Sequence, residues 1–335
     1  MHIHDLLVVG AGPAGLATAI AASRRQLDYL VLERGVLVNS IYRFPRQMVF
    51  FTTADLLEIG ELPFVSPYEK PTRHEALRYY RRVADAFQLD IVYGEAVSLV
   101  TPEADRADGP VFAVETRSAR GVRRARHARA VVLATGYYDR PNLIGVPGED
   151  LPHVSHYYAE AHPHYQTRGV IVGGGNSAAE AALELYRAGA GVTLVHRHPE
   201  LKSTIKYWVR PDIENRIKEG AVAARFSSRV LEIRPTDIVI EGPRGREELP
   251  ADWVLLLTGY RTDTELLVRA GVRCDAATSK PEIDPDTLET NVPGLFLAGA
   301  VVSGRDTSTI FIENGRFHGE AIVKALSGRL VSPQR

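Results

Sequence analysis

Two stretches of the chain repeat one pattern of apolar and small residues. LLVVGAGPAGLATAI (6–20) and GVIVGGGNSAAEAAL (169–183) each open on an apolar run, pass through closely spaced glycines and continue alanine-rich. In the first copy, residues 6–9 are predicted as a parallel strand buried on both faces, 16–22 as the start of a helix, and 29–32 as the next strand, ending at Glu33. In the second, the strand is 170–172, the helix opens at 177–186, and the following strand, 192–195, ends in His196, Arg197 and His198. VVLATGY (131–137) and VLLLTGY (254–260) echo each other as buried strands ending at a threonine–glycine turn. The repetition is therefore a pair of similar α/β domains and not a short-period solenoid. The layout expected is one nucleotide-binding domain over 1–138, a second inserted over 139–260, and a return to the first over 261–335.

The glycine spacing gives the loops their chemistry. Gly10, Gly12 and Gly15 satisfy G-x-G-x-x-G. The first glycine permits a tight turn, the second lets a pyrophosphate approach the backbone, and the third packs helix on strand. The helix N-terminus then faces the phosphates. Glu33 falls roughly 20 residues beyond the loop, where a carboxylate meets the adenosine ribose. The second loop has Gly173, Gly175 and Ala178, and its next strand ends in His196 and Arg197 with Lys202 close behind. Cations there suit a 2′-phosphate, so NADPH is favoured over NADH.

Composition narrows the class. The 335 residues suit two domains, and a net charge of −1 points to neither nucleic acid nor an anionic membrane as main partner. Cys274 is the only cysteine, which excludes an internal disulfide or dithiol and fits a reducing compartment. No basic leader and no apolar run of membrane-spanning length stand out, so a soluble cytoplasmic protein is expected. No metal centre is expected. Residues 103–110 and 118–127 read as polar turns around a β-hairpin, their arginine run a solvated edge without function. A strand is predicted over 295–298, and a last helix starting near Thr307 or Ser308, capped by either hydroxyl.

The longer stretches carry a resemblance. The chain resembles the FAD- and NADPH-dependent reductases of the thioredoxin reductase type over nearly its whole length. VNSIYRFPRQMVFFTTADLLEIGELPF, KPTRHEALRYYRRV, SHYYAEAHPHYQ, STIKYW and IFIENGRFHG look like the bacillithiol disulfide reductase family. The resemblance implies two Rossmann-like domains, with FAD at the first loop, NADPH at the second and the flavin ring between the domains. For FAD it implies Gly10, Gly12, Pro13, Ala14, Gly15, Glu33, Arg34, Ser40, Gln47, Phe51, Thr52, Thr135, Gly136, Gly299, Ala300, Ile310 and Phe311. For NADPH it implies Gly173, Gly175, Asn176, Ser177, Ala178, His196, Arg197, Lys202 and Gly259. Relatives also imply a homo-oligomer. The C-x-x-C of thioredoxin reductases is absent, SHYYAEAHPHYQ standing in its place, and their Gly-Asp pair is Gly299-Ala300 here. Many members of the nearer family have cysteine where this chain has Ala14.

NADPH and FAD together permit hydride transfer to flavin. The expected acceptor is a low-molecular-weight disulfide such as bacillithiol disulfide, reduced without a cysteine relay. A departing thiolate needs a proton donor, and His156, His162, His164 and His318 are the candidates. Arg43, Arg46, Lys70 and Arg73 are candidate liners for a carboxylated substrate. The alternatives are a ferredoxin or flavodoxin reductase acting on a small redox protein, and a flavin-based NADPH redox sensor. A flavin monooxygenase ranks third among the enzyme readings, because GEDLPH does not meet its F-x-G-x-x-x-H motif.

Overall fold

The computed structural model describes residues 2–106 and 109–330. The chain divides into two compact units: Met1–Tyr42, Gln47–Arg140 and Tyr260–Arg335 form one, and Arg43–Arg46 with Pro141–Gly259 form the other. Each is an α/β layer built on a largely parallel sheet.

In the first unit, β1 (Ile3–Val9), α1 (Pro13–Arg24) and β2 (Tyr29–Glu33) form a β-α-β unit, followed by α2 (Asn39–Arg43), α3 (Arg73–Ala86) and β3 (Ile91–Tyr93). Then come β4 (Glu95–Arg106), β5 (Gly109–Ser118) and β6 (Arg123–Leu133). The sheet order is β3-β2-β1-β6-β5-β4. β1, β2, β3 and the second half of β6 are parallel, whereas β6, β5 and β4 form an antiparallel meander. Fully buried Leu6, Leu7 and Val8 on β1 and Val131, Val132 and Leu133 on β6 explain the unbroken apolar runs, since both faces are covered. α3 begins at a T-x-x-E capping box: Glu75 N donates to Thr72 Oγ1 at 3.2 Å and Thr72 N to Glu75 Oε2 at 2.8 Å. Its buried Ala76, Tyr79, Tyr80 and Val83 follow helical spacing.

The second unit has β7 (Val154–Ser155), β8 (Arg168–Val172), α4 (Asn176–Arg187), β9 (Gly191–Val195), α5 (Arg210–Lys218) and β10 (Ala223–Arg225). After β11 (Arg229–Ile233), β12 (Asp237–Gly242) and β13 (Gly245–Pro250) comes β14 (Trp253–Leu256). One sheet, β10-β9-β8-β14-β7, is parallel throughout, and β11-β12-β13 is a separate antiparallel sheet. The chain then adds α6 (Thr264–Arg269), β15 (Leu295–Leu297) beside β6, α7 (Ile312–Gly315) and α8 (His318–Leu330) to the first unit.

Four expectations change. The first unit is interrupted at 43–46, because Arg46 N donates to Ala159 O at 2.8 Å, Arg46 pairs with Glu160 at 2.9 Å and Arg43 lies 4.1 Å over the Tyr157 ring. The stretch 123–127 is strand, not turn. Its arginines are not idle: Arg124 and Arg126 clamp the buried Glu95 carboxylate, which also accepts from Thr116 at 3.1 Å. Burial works the other way, yet the hydrogen bonds from Arg126 and Arg124 hold Glu95 below the usual carboxylate range. The turn expected over 103–110 is strand to Arg106 and again from Gly109, its tip lying outside the described residues. Finally, the helical stretch expected from Thr307 or Ser308 opens at Ile312 as the short α7, and α8 follows from His318. Asp306 accepts from Ser308 N at 3.1 Å, closing a turn there, and Asn314 Oδ1 caps Phe311 N at 2.8 Å.

Candidate functional site

The first glycine loop joins β1 to α1. Gly10 has φ +110°, and a Cβ there would lie 2.6 Å from Ala134 O; at Gly15 it would lie 1.9 Å from Gly10 O. Gly12 differs, with nothing within 4 Å of a Cβ position. Pro13 starts the helix, and Gly12, having no side chain, leaves the first-turn amides uncapped. The loop is tight where backbone meets backbone and open where a ligand would approach. Glu33, at the end of β2, accepts from Ala11 N at 2.8 Å through Oε2 and from Gly35 N at 2.7 Å through Oε1. Each oxygen has a further lone pair for a ribose hydroxyl. Burial pushes its carboxyl above the ordinary range despite these two amides. The neighbouring Arg34 pairs with Asp139, beyond the Thr135–Gly136 turn that ends β6.

The returning chain closes on this loop through small residues. A Cβ on Gly299 would sit 2.7 Å from Ala14 Cβ, and one on Gly319 would meet Thr18 backbone at 2.5 Å. Gly299 N donates to His318 Nδ1 at 3.1 Å, so His318 fixes the turn that precedes Ala300. Phe51 and Phe311, far apart in sequence, meet edge to face at 5.6 Å, with Ile310 half-buried beside them. Thr52 is buried, Ser40 half-buried on α2, and Gln47 exposed.

The second loop, between β8 and α4, repeats the arrangement with one difference. Gly173 lies close to Leu257 O, at 2.5 Å from a built Cβ, and Gly175 leaves the start of α4 uncapped. Ala178 is buried and fits where the first loop needs Gly15, while Ser177 is exposed. Asn176 points its amide into the following loop: Oδ1 accepts from Lys206 N at 2.8 Å and Nδ2 donates to Thr204 O at 3.2 Å. Gly259 O accepts from Asn142 N at 2.9 Å, at the end of this unit. Arg197 and Lys202 are exposed cations, and the Lys202 stem passes 3.8 Å from the Gly175 Cβ position.

His196 corrects an expectation. It is buried, its ring covers Gly174 so closely that a Cβ there would lie 2.3 Å from Cε1, and its Nε2 has no hydrogen-bond partner among the described residues. Burial, reinforced by the charges of His198, Lys202 and Arg197, pushes its pKa below the ordinary histidine value. At neutral pH His196 is a neutral packing residue, and the cationic face belongs to Arg197 and Lys202.

The candidate proton donors separate in the same way. His164 stacks edge to face on Trp253 at 4.7 Å, and burial lowers its pKa. His156 lies 3.4 Å from Glu149, whose carboxylate accepts from Ile144 N at 2.9 Å and Gly145 N at 2.7 Å. His162 is exposed. These three are in the second unit, whereas His318 is in the first and is lowered by burial. Of the expected substrate cations, Arg46 and Arg43 are engaged by Glu160 and Tyr157 as above, and Arg73 donates to Ile41 O at 3.1 Å and to Tyr42 O, holding the end of α2. Lys70 is half-buried. Cys274 donates to Val272 O at 4.0 Å, and burial raises its thiol pKa, which makes it a poor nucleophile.

Three contributors escape sequence reasoning: Asp139, the Asn176 tether and the His318–Gly299 bond. Only the third had a signal, in the histidine that ends IFIENGRFH. The depressed histidines give a pH prediction. His318, His196 and His164 bind protons more weakly folded than unfolded, where the value is about 6.5. Their stability contribution is therefore present above about pH 6.5 and lost as pH falls toward the folded values. The urea midpoint is expected to be lower at pH 5.5 than at 7.5, and His318→Asn to flatten that difference. Equal slopes for the variant and the parent would refute the His318 share.

A profile of the pyridine nucleotide-disulphide oxidoreductase family matches residues 7–299. The chain is 39% identical over 326 residues to bacilliredoxin reductase Bdr of Bacillus subtilis (strain 168), covering 96% of this chain and 97% of that one. A solved structure of bacillithiol disulfide reductase Bdr (YpdA) from Bacillus cereus superposes with a TM-score of 0.94 at 37% identity, covering 98% and 100% of the two chains. A ferredoxin–NADP reductase of Ignicoccus hospitalis is 26% identical over 306 residues, 89% of this chain and 90% of that one.

Proposed function

The chain belongs to the pyridine nucleotide-disulphide oxidoreductase family, and from that premise we propose that it passes electrons from NADPH through FAD to the disulfide of a low-molecular-weight thiol such as bacillithiol disulfide. The observation that carries this reading is the end-to-end similarity to bacilliredoxin reductase, 96% of one chain against 97% of the other. The balanced reaction consumes NADPH, one proton and a disulfide, and returns NADP⁺ and two thiols.

The residues present fit both nucleotides. When bound, FAD supplies two-electron chemistry between a nicotinamide and a disulfide. The open side of Gly12 and the uncapped amides of α1 receive the pyrophosphate, with Glu33 and Arg34 toward the ribose end. Ser40, Gln47, Phe51, Thr52, Thr135 and Gly136 line one part of this site, and Gly299, Ala300, Ile310 and Phe311 another. His318 holds the Gly299 turn in register and is a positioning residue, not the acid. Gly173, Gly175 and the amides of α4 receive the NADPH pyrophosphate, Ser177 adds a free hydroxyl, and Arg197 with Lys202 holds the 2′-phosphate. Asn176 serves by tethering the loop at 204–206, and Gly259 by closing the turn after β14. His162, the exposed histidine of the four, is the proposed proton donor to the departing thiolate.

No thiol of the chain suits a relay. Ala14 stands where a cysteine would be, and Cys274 is held as a protonated thiol. The disulfide therefore takes its electrons without a protein dithiol. That same absence favours a second reading, a ferredoxin–NADP reductase, to which the Ignicoccus relative bears the name. A cytoplasmic, homo-oligomeric enzyme is part of the proposal; the single cysteine suits a reducing compartment. No helix among the described residues is long and apolar enough to cross a membrane.

The test is anaerobic. The flavin-loaded protein is reduced with NADPH, and bacillithiol disulfide, a bacilliredoxin disulfide and ferredoxin are offered in parallel. Reoxidation by bacillithiol disulfide is the expected result. Reoxidation by ferredoxin alone would establish the second reading, and tight nucleotide binding without turnover would make the protein a redox sensor.

A further inference from the structure

We propose that His2, His4 and Asp28 form a binding site for a divalent transition-metal ion, zinc or nickel by chemistry, at the end of strands β1 and β2 opposite the nucleotide loop. His2 and His4 flank Ile3 at the start of β1, and the two-residue period of an extended chain puts both imidazoles on one side. Asp28, at the entry to β2, faces them: Asp28 Oδ2 lies 2.9 Å from His2 Nε2 and Oδ1 3.1 Å from His4 Nδ1. One donor atom from each residue lies within 4.8 Å of the other two. Ligands on a tetrahedral zinc with bonds of about 2.0–2.1 Å sit roughly 3.3 Å apart, and rotation of the exposed His2 and Asp28 side chains can draw a set that lies within 4.8 Å to that spacing.

The main chain at Asp28 is held on both sides. Asp28 N donates to Asp5 Oδ2 at 3.0 Å, and Asp28 O accepts from Asp5 N at 2.8 Å and Leu6 N at 3.1 Å. Asp28 thus holds its place without metal, and β1 and the entry to β2 are already tied at this point. The His2 and Asp28 side chains are 69% and 47% exposed, so an ion can enter and complete its shell with water. Two imidazoles and one carboxylate suit zinc or nickel, and supply too few oxygens for calcium or magnesium.

The site lies at the opening of β1, and the glycine loop at its close. The six residue steps from His4 to Gly10 span about 20 Å at ~3.3 Å per residue. The ion therefore acts as a staple between β1 and β2 and takes no part in electron transfer.

The experiment is calorimetric titration of the flavin-loaded full chain, without added histidines, with zinc chloride at pH 7.5. One site per chain is expected, unmatched by magnesium. His2→Gln and Asp28→Asn should each weaken zinc by at least the roughly 10–100-fold that loss of an outer-shell partner costs. Binding should weaken as pH falls, because the metal takes deprotonated ligands and its binding releases protons. Zinc should raise the melting temperature of the parent and not of the variants, with the NADPH reduction rate unchanged in all of them. An unchanged flavin spectrum shows the variants fold. Equal zinc affinity in parent and variants, or no saturable binding below millimolar zinc, would overturn the proposal.

Discussion

Gly12→Ala is expected to give a protein that folds but is purified without its yellow cofactor. The expectation rests on the contrast between two glycines of one loop. At Gly15 a methyl group would lie 1.9 Å from Gly10 O, so the loop or helix must move. At Gly12 the methyl enters open space, and φ −77° is an ordinary value for an L-residue. Apoprotein stability should fall by no more than about 1 kcal/mol, the cost of a poorer helix cap. The methyl group nevertheless occupies the approach of the pyrophosphate. Losing one or two charge-assisted amide hydrogen bonds, at about 1.5–3 kcal/mol each, weakens FAD by roughly 10- to 20,000-fold. Gly15→Ala should lose both flavin and stability, since crowding of this kind costs about 1–3 kcal/mol. Flavin titration of the apoproteins and urea unfolding separate the two effects. A Gly12→Ala protein that retains flavin like the parent would remove the pyrophosphate from this loop.

The parts of the molecule legible in the sequence are those whose physics is local. A buried strand, a glycine turn and a helix start lie within about ten residues, and one fixes the next, so both nucleotide loops could be read from the apolar pattern. T-x-x-E before α3 is local in the same sense. What the pattern missed depends on residues distant along the chain. Nothing near Arg46 announces Glu160, so the segment 43–46 reads as part of the first unit although it packs in the second. Arg124 and Arg126 look solvated until Glu95 is found buried beneath them. The late start of α7 is a subtler case: Asp306 competes for Ser308 with the helix that Ser308 was expected to cap.

His196 shows how burial can reverse a reading of charge. HRH at a strand end reads as three cations, yet the first lies over Gly174 and is neutral at pH 7. The selection of NADPH is therefore assigned to Arg197 and Lys202, and the expected result divides the cluster. Arg197→Ala and Lys202→Ala should each lower kcat/KM for NADPH by roughly 10- to 150-fold, the worth of one charge-assisted phosphate contact at about 1.5–3 kcal/mol, while leaving NADH unchanged. Because both side chains are exposed, the NADPH effect should shrink as ionic strength rises. His196→Asn should move NADPH and NADH together, since it disturbs the packing on Gly174 and removes no charge at pH 7.5. Steady-state kinetics with both nucleotides at two salt concentrations measures all three. A selective loss of NADPH in His196→Asn would mean that the imidazole is protonated against the phosphate, and that the bound nucleotide supplies the partner its buried Nε2 lacks.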